Sequence, residues 1–224
     1  MIGIIFDLDG TLVDSYDLDE QLYRKAVLSE VPGVIFRKSW YDYHHSTDSG
    51  ILTEILKELN LPVRKYQDSV RQRFGKLLKN HLQSGNSCRP IPGAAALLNR
   101  LRLTPKIKIG IATGGWYHTA QMKLDAAGLS EPNIPMASGD DAHSRIEIMQ
   151  ICASRMEPSI SNFIYVGDAE WDLRAANELG WKFIGVGKRL EGKSKIWVPD
   201  LCNETPFLEN AQQAAHTSCL KIRK

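Results

Sequence analysis

A doubly wound α/β fold carrying an inserted helical unit is predicted by three features of the sequence. Short apolar runs rich in Ile and Val recur at wide spacing, stretches of helical periodicity separate the later ones, and a long interval without strands follows the first. A buried parallel strand reads as a short continuous apolar run because both faces of such a sheet are covered. Strands alternating with helices of about 10–15 residues imply crossover connections and therefore a parallel sheet.

The elements follow in order. The first run, "IGIIF" at 2–6, carries no charge and leads into "DLDGT". The second, "IKIGIA" at 107–112, has the helical patterns "GAAALLNRLRL" before it and "YHTAQMKLDAAG" after it, with a further short strand in "NIPMAS". "SRIEIMQICASRM" precedes the third run, "NFIYVG" at 162–167, and "AEWDLRAANELG" leads to the fourth, "KFIGVG" at 182–187. Almost a hundred residues part the first run from the second, far too many for one crossover. That interval holds amphipathic patterns at 17–30, 49–60 and 63–82, which predict a helical subdomain. Pro90, Pro92 and Gly93 discourage a continuous helix at its far edge. The predicted division is a core of 1–14 and 89–224 with an insert of 15–88.

Composition narrows the function. A chain of 224 residues with 43% hydrophobic and 24% charged residues is ordinary for a globular protein, and a formal charge of +2 gives no reason to expect a nucleic-acid partner. The terminal "KIRK" is read as a solvated end rather than a binding arm. Cys88, Cys152, Cys202 and Cys219 form no CxxC pair, so neither a zinc cluster nor a redox dithiol is expected. No apolar stretch approaches the roughly 20 residues that span a bilayer, and no secretory leader pattern is present. The expectation is a cytoplasmic protein without a membrane partner, and a monomer by default.

Carboxylates gather where the predicted strands end. Side chains alternate along a strand, so Asp7 and Asp9 share a side if the chain stays extended. They stand at the carboxyl end of the first strand, the edge at which open α/β sheets bind ligands. The same residues also suit a turn in which Asp9 precedes Gly10. The third strand repeats the plan, with Asp168 at its end and Asp172 early in the next helix, although Asp172 would favour a helix dipole in any case. Carboxylates brought together repel, and a hard cation such as Mg2+, which takes oxygen ligands, would relieve them. After the second strand, Thr113 is followed by Gly114 and Gly115, which can expose backbone N–H groups to a phosphate oxygen.

On these residues the chain resembles the haloacid dehalogenase-like hydrolase superfamily from its first residue to about residue 200. The family's opening motif, DxDGT, matches Asp7, Asp9, Gly10 and Thr11; its second corresponds to Thr113 and its acidic fourth to Asp168 and Asp172. The third motif is usually a lysine near Lys-Pro. Here the interval reads "SGDDAHSRIEIM", with Arg145 as the available cation, and "TGG" replaces the Thr-Asn of many phosphatase relatives.

The resemblance implies a Rossmann-like three-layer core under a helical cap, and a Mg2+-dependent phosphatase acting on a small phosphorylated metabolite. It makes Asp7 the nucleophile, Asp9 the acid and base, Asp7, Asp9, Asp168 and Asp172 the metal-holding set, and Thr113, Arg145 and backbone amides near Leu8 and Gly114 the phosphoryl cradle. Asp9 favours phosphate over halide chemistry, since a halide needs no acid. A sugar-phosphate mutase is the alternative within the family, and a non-catalytic binding protein the alternative outside it. In the cap, "WYDYHHSTDSG" offers Tyr43, His44, His45, Thr47 and Asp48 to a polar leaving group, while Thr47 and Asp48 equally suit a helix N-terminus.

Overall fold

The structure, a computed structural model, describes residues 1–86 and 88–221; the rest of the basic end, 222–224, lies outside the described residues. The chain runs β1 (Ile2–Phe6), β2 (Val13–Asp14), α1 (Tyr16–Glu30), α2 (Asp48–Glu58), α3 (Val63–Gln83), β3 (Arg89–Pro90), α4 (Ala94–Leu103) and β4 (Ile107–Ala112). It continues through α5 (Tyr117–Ala126), β5 (Met136–Ala137), α6 (Arg145–Arg155), β6 (Asn162–Gly167), α7 (Glu170–Glu178), β7 (Lys182–Val186), β8 (Trp197–Val198) and α8 (Thr205–Lys221).

Six parallel strands form one sheet in the order β5-β4-β1-β6-β7-β8. Every residue of β1 is buried, as its uncharged sequence requires of a central strand. Its side chains feed two cores. Ile2, Ile4 and Phe6 pack on the side of α4 and α8, where the Phe6 and Phe207 rings stack, whereas Ile5 joins Ile148, Met149, Cys152, Ala175 and Ala176 of α6 and α7. Helices on both faces make the three-layer Rossmann-like core, and the all-helical insert sits between β1 and α4.

The register decides where the chemistry collects. Phe6 stands beside Ile111 of β4 and Val166 of β6, so the residues that follow these strands emerge together at one sheet edge. The chain after β1 proceeds to β4 and β5 on one side and returns to β6, β7 and β8 on the other, which makes this edge the point where strand order reverses.

Two strand pairs are absent from the sequence reading. β8 is two residues long, too short to show a period. β2 and β3 form a separate antiparallel ribbon, Val13 opposite Pro90 and Asp14 opposite Arg89, at the root of the insert. An aromatic seam joins insert to core: Trp116, from the loop after β4, is fully buried with ring centroids 5.8 Å from Tyr23 and 5.9 Å from Phe74. Its indole N–H donates to Ser49 Oγ at 2.7 Å.

Candidate active site

Asp7, Thr113 and Asp168 each directly follow a strand of the sheet, β1, β4 and β6 respectively, and Asp172 lies in the first turn of α7. All four side chains are buried. Carboxylate oxygens of Asp7, Asp168 and Asp172 lie within 4.8 Å of one another. Arg145, the N-terminal residue of α6, donates from Nη1 to Asp7 Oδ1 at 2.8 Å and reaches Asp172 Oδ1 at 3.5 Å. Arg189 pairs with Asp168.

These counter-charges do not balance the cluster. Burial, then the charge of Asp172, pushes Asp7 up to about 7 against the pull of Arg145. Burial and Asp7 push Asp168 up to about 7, while Asp172 rises to about 6, driven by burial and by Asp168 against Arg145. Asp172 Oδ1 is buried with no hydrogen-bond donor among the described residues. Three crowded carboxylates, one with an unsatisfied oxygen, fit a hard divalent cation, which takes oxygen ligands and removes their repulsion.

The glycines of the motifs are fixed by this crowding. Gly10 has φ +85°, and a Cβ there would collide with the carboxylate of Asp168. A Cβ on Gly114 would stand 2.8 Å from Arg145 Nη2 and 3.2 Å from the Ser46 carbonyl oxygen. The residue after Thr113 must therefore be small for Arg145 and the insert to approach. Thr113 Oγ1 accepts from Gly115 N–H at 3.1 Å, which holds the turn.

Asp9 faces a different partner. Lys123 of α5 donates to both of its oxygens, at 2.6 and 2.7 Å, and to Asp19 of α1 at 2.6 Å. Ser15 Oγ donates to Asp9 Oδ1 at 2.5 Å. Burial pulls the ammonium of Lys123 down, but Asp19 and Asp9 together outweigh it and hold the group above its ordinary range. Lys123, Asp19 and Arg189 carry no motif and are missed by the sequence reading. One signal exists: Lys123 falls on the face of α5 that also buries Thr119, Ala120 and Leu124, where a lysine without a partner would be too costly to keep.

Leu8 is fully buried, its carbonyl accepting from the N–H groups of Thr11, Leu12 and Val13. Asp48 lines the cleft, accepts from Trp116 N–H through Oδ2 at 3.1 Å, and donates its own N–H to the Gly114 carbonyl at 3.0 Å. Burial and neighbouring Asp19 push its carboxyl well above the usual range. Thr47 caps α2, accepting from Gly50 N–H at 3.2 Å, and donates across to the His143 carbonyl at 2.8 Å. His44 lies outside the cleft, in a separate depression with His45, its ring centroid 4.3 Å away. The cleft encloses about 70 Å³ between sheet edge and insert, and Asp7, Asp9, Thr113, Gly114, Arg145 and Asp168 all line it.

Known proteins share this architecture. A hydrolase from Pseudomonas syringae superposes with a TM-score of 0.70 at 22% identity, over 94% of this chain and 99% of the other. A β-phosphoglucomutase from Clostridium difficile gives a TM-score of 0.72 at 20% identity, over 95% and 98%. CbbY from Rhodobacter sphaeroides in complex with phosphate gives 0.66 at 15% identity, over 90% and 95%. No curated protein sequence matches the chain. At these identities the structures speak for the fold alone. The sequence family speaks for more: its model runs from residue 4 to residue 186, from inside β1 to the end of β7, and the chain belongs to the haloacid dehalogenase-like hydrolases.

Proposed function

We propose that the protein is a magnesium-dependent phosphomonoesterase that works through an aspartyl-phosphate on Asp7. The observation that carries the reading is the convergence of Asp7, Asp168 and Asp172 on one buried point beside Arg145. Asp7 attacks phosphorus as the alcohol leaves. Arg145 presents a planar fork to an equatorial phosphoryl oxygen, and the Thr113 hydroxyl with the N–H groups near Leu8 and Gly114 supplies the remaining donors. Asp7, Asp168 and Asp172 are the residues that would hold Mg2+, whose charge keeps the carboxylates ionised and offsets the phosphoryl oxygens.

Asp9 serves as acid to the leaving alkoxide and then as base to the hydrolytic water. Lys123 bridges Asp9 to Asp19. For the acid half Asp9 must part from the ammonium, and Asp19 keeps Lys123 partnered when it does. Residues 15–88 act as the cap that covers the site and excludes water.

A phosphate-release screen over small phosphomonoesters, with Mg2+ or EDTA and beside Asp7→Asn, tests the reading. Release that requires Mg2+ and Asp7 supports it; release indifferent to both overturns it.

A further inference from the structure

We infer that the leaving alcohol of the substrate carries no negative charge and is favoured by an amine, an inference that rests on the phosphomonoesterase reading. Besides the residues of the phosphoryl site, the wall of the cleft includes Tyr16, Glu20, Tyr23, Trp40, Asp48 and Trp171. Among the described residues that line the cleft, Arg145 is the single Lys, Arg or His, and it belongs to the phosphoryl end beside Asp7.

The cations nearest the wall are already committed. Arg24 donates to Glu20 at 2.9 Å and lies over the Trp40 ring at 4.1 Å, Arg189 lies over the Tyr16 ring at 3.6 Å and pairs with Asp168, and Lys123 is buried between Asp9 and Asp19. A carboxylate or second phosphate on the leaving group would find no uncommitted counter-charge in the lining, since Glu20 already holds Arg24 and Asp48 in either protonation state brings no cation. Like charges held together in a water-poor cleft repel strongly. A hydroxyl or ammonium instead meets the carboxylate oxygens of Glu20 and Asp48, to which it can donate. The same wall leaves a bisphosphate without a second anchor, which sets a mutase below a hydrolase.

A matched two-carbon series isolates the charge: O-phosphoethanolamine, 2-hydroxyethyl phosphate and 2-phosphoglycolate, each as competitor against p-nitrophenyl phosphate hydrolysis. The expected inhibition constant of phosphoglycolate is at least about tenfold weaker than that of the neutral ester, with phosphoethanolamine equal to it or tighter. In Glu20→Gln the spread narrows, and in Asp48→Asn it narrows or holds. A flat or inverted order overturns the inference, as does a spread unchanged in both variants. Cleavage of p-nitrophenyl phosphate with a flat order is failure of this inference alone; absence of any cleavage is failure of the phosphomonoesterase reading and removes the inference with it.

Discussion

The ammonium of Lys123 lies 2.6 and 2.7 Å from the two carboxylate oxygens of Asp9, and the residue has no exposed surface. The same atom reaches Asp19 of the insert at 2.6 Å, so one buried cation ties the opening motif to the cap. Lys123→Met leaves the partly buried carboxylates of Asp9 and Asp19 facing each other. The expected cost is about 3–5 kcal/mol, the range for removing one partner of a buried ion pair. Urea denaturation of Lys123→Met against wild type measures it, and adding Asp19→Asn should recover part of the loss.

Asp7→Asn is expected to separate stability from activity. Phosphate release should fall on the order of a thousandfold or more, because an amide cannot form the aspartyl-phosphate. The fold should gain stability above pH 7, since a neutral isostere removes the cost of burying a charge and the repulsion from Asp172 that together raise Asp7 to about 7. Thermal unfolding in EDTA reads the second effect without reference to catalysis.

Metal-free protein should lose stability as pH rises. Asp7 and Asp168, each raised to about 7 when folded, bind protons more tightly there than in the unfolded chain, near 3.8. The folded state is therefore favoured by protonation below about pH 4, and that advantage is lost as pH climbs through 7. Melting temperature in EDTA should fall between pH 5 and 8, by about 2–4 °C for each kcal/mol lost in a domain of this size. Mg2+ should restore it, and more at pH 8 than at pH 5. Melting temperatures that do not change with pH, or with Mg2+ at pH 8, would contradict the cation site.

Gly10→Ala should destabilise the protein by at least about 1–2 kcal/mol, from the strain of a non-glycine residue at φ +85°. Since the added Cβ presses on Asp168, Mg2+ affinity measured by calorimetry should fall as well.

Arg145→Lys restores the family's usual cation type at the third motif but loses the fork. A lysine delivers a point charge where Arg145 faces both Asp7 and Asp172. Phosphate release should drop by about one to two orders of magnitude, and Arg145→Met should lose more. Equal rates for Arg145→Lys and Arg145→Met would argue against contact between this side chain and the phosphoryl group.

Strand ends were the legible part of the site. Asp7, Thr113 and Asp168 stand out because each closes an apolar run, and parallel register brings such positions together without further information. Arg145 was legible only by order along the chain. Asp19, Lys123 and Arg189 were not legible, because each acts through a partner more than twenty residues away or across the cap boundary, and helical periodicity says nothing of such pairings. Thr47 shows the reverse: its residue type suited both a ligand and a helix start, and its hydroxyl caps α2. The two-residue strands β2 and β3 escaped for want of length.

That small ribbon has a consequence for how the molecule is assembled. Asp14 lies opposite Arg89, so the chain leaves the core and comes back through a single gateway two residue pairs wide. A segment whose ends already meet can be exchanged for another of different length without moving a strand of the sheet. A transplant cut at Asp14 and Arg89 would keep the acidic cluster and Trp171 while replacing Tyr16, Glu20, Tyr23, Trp40 and Asp48 of the cleft wall.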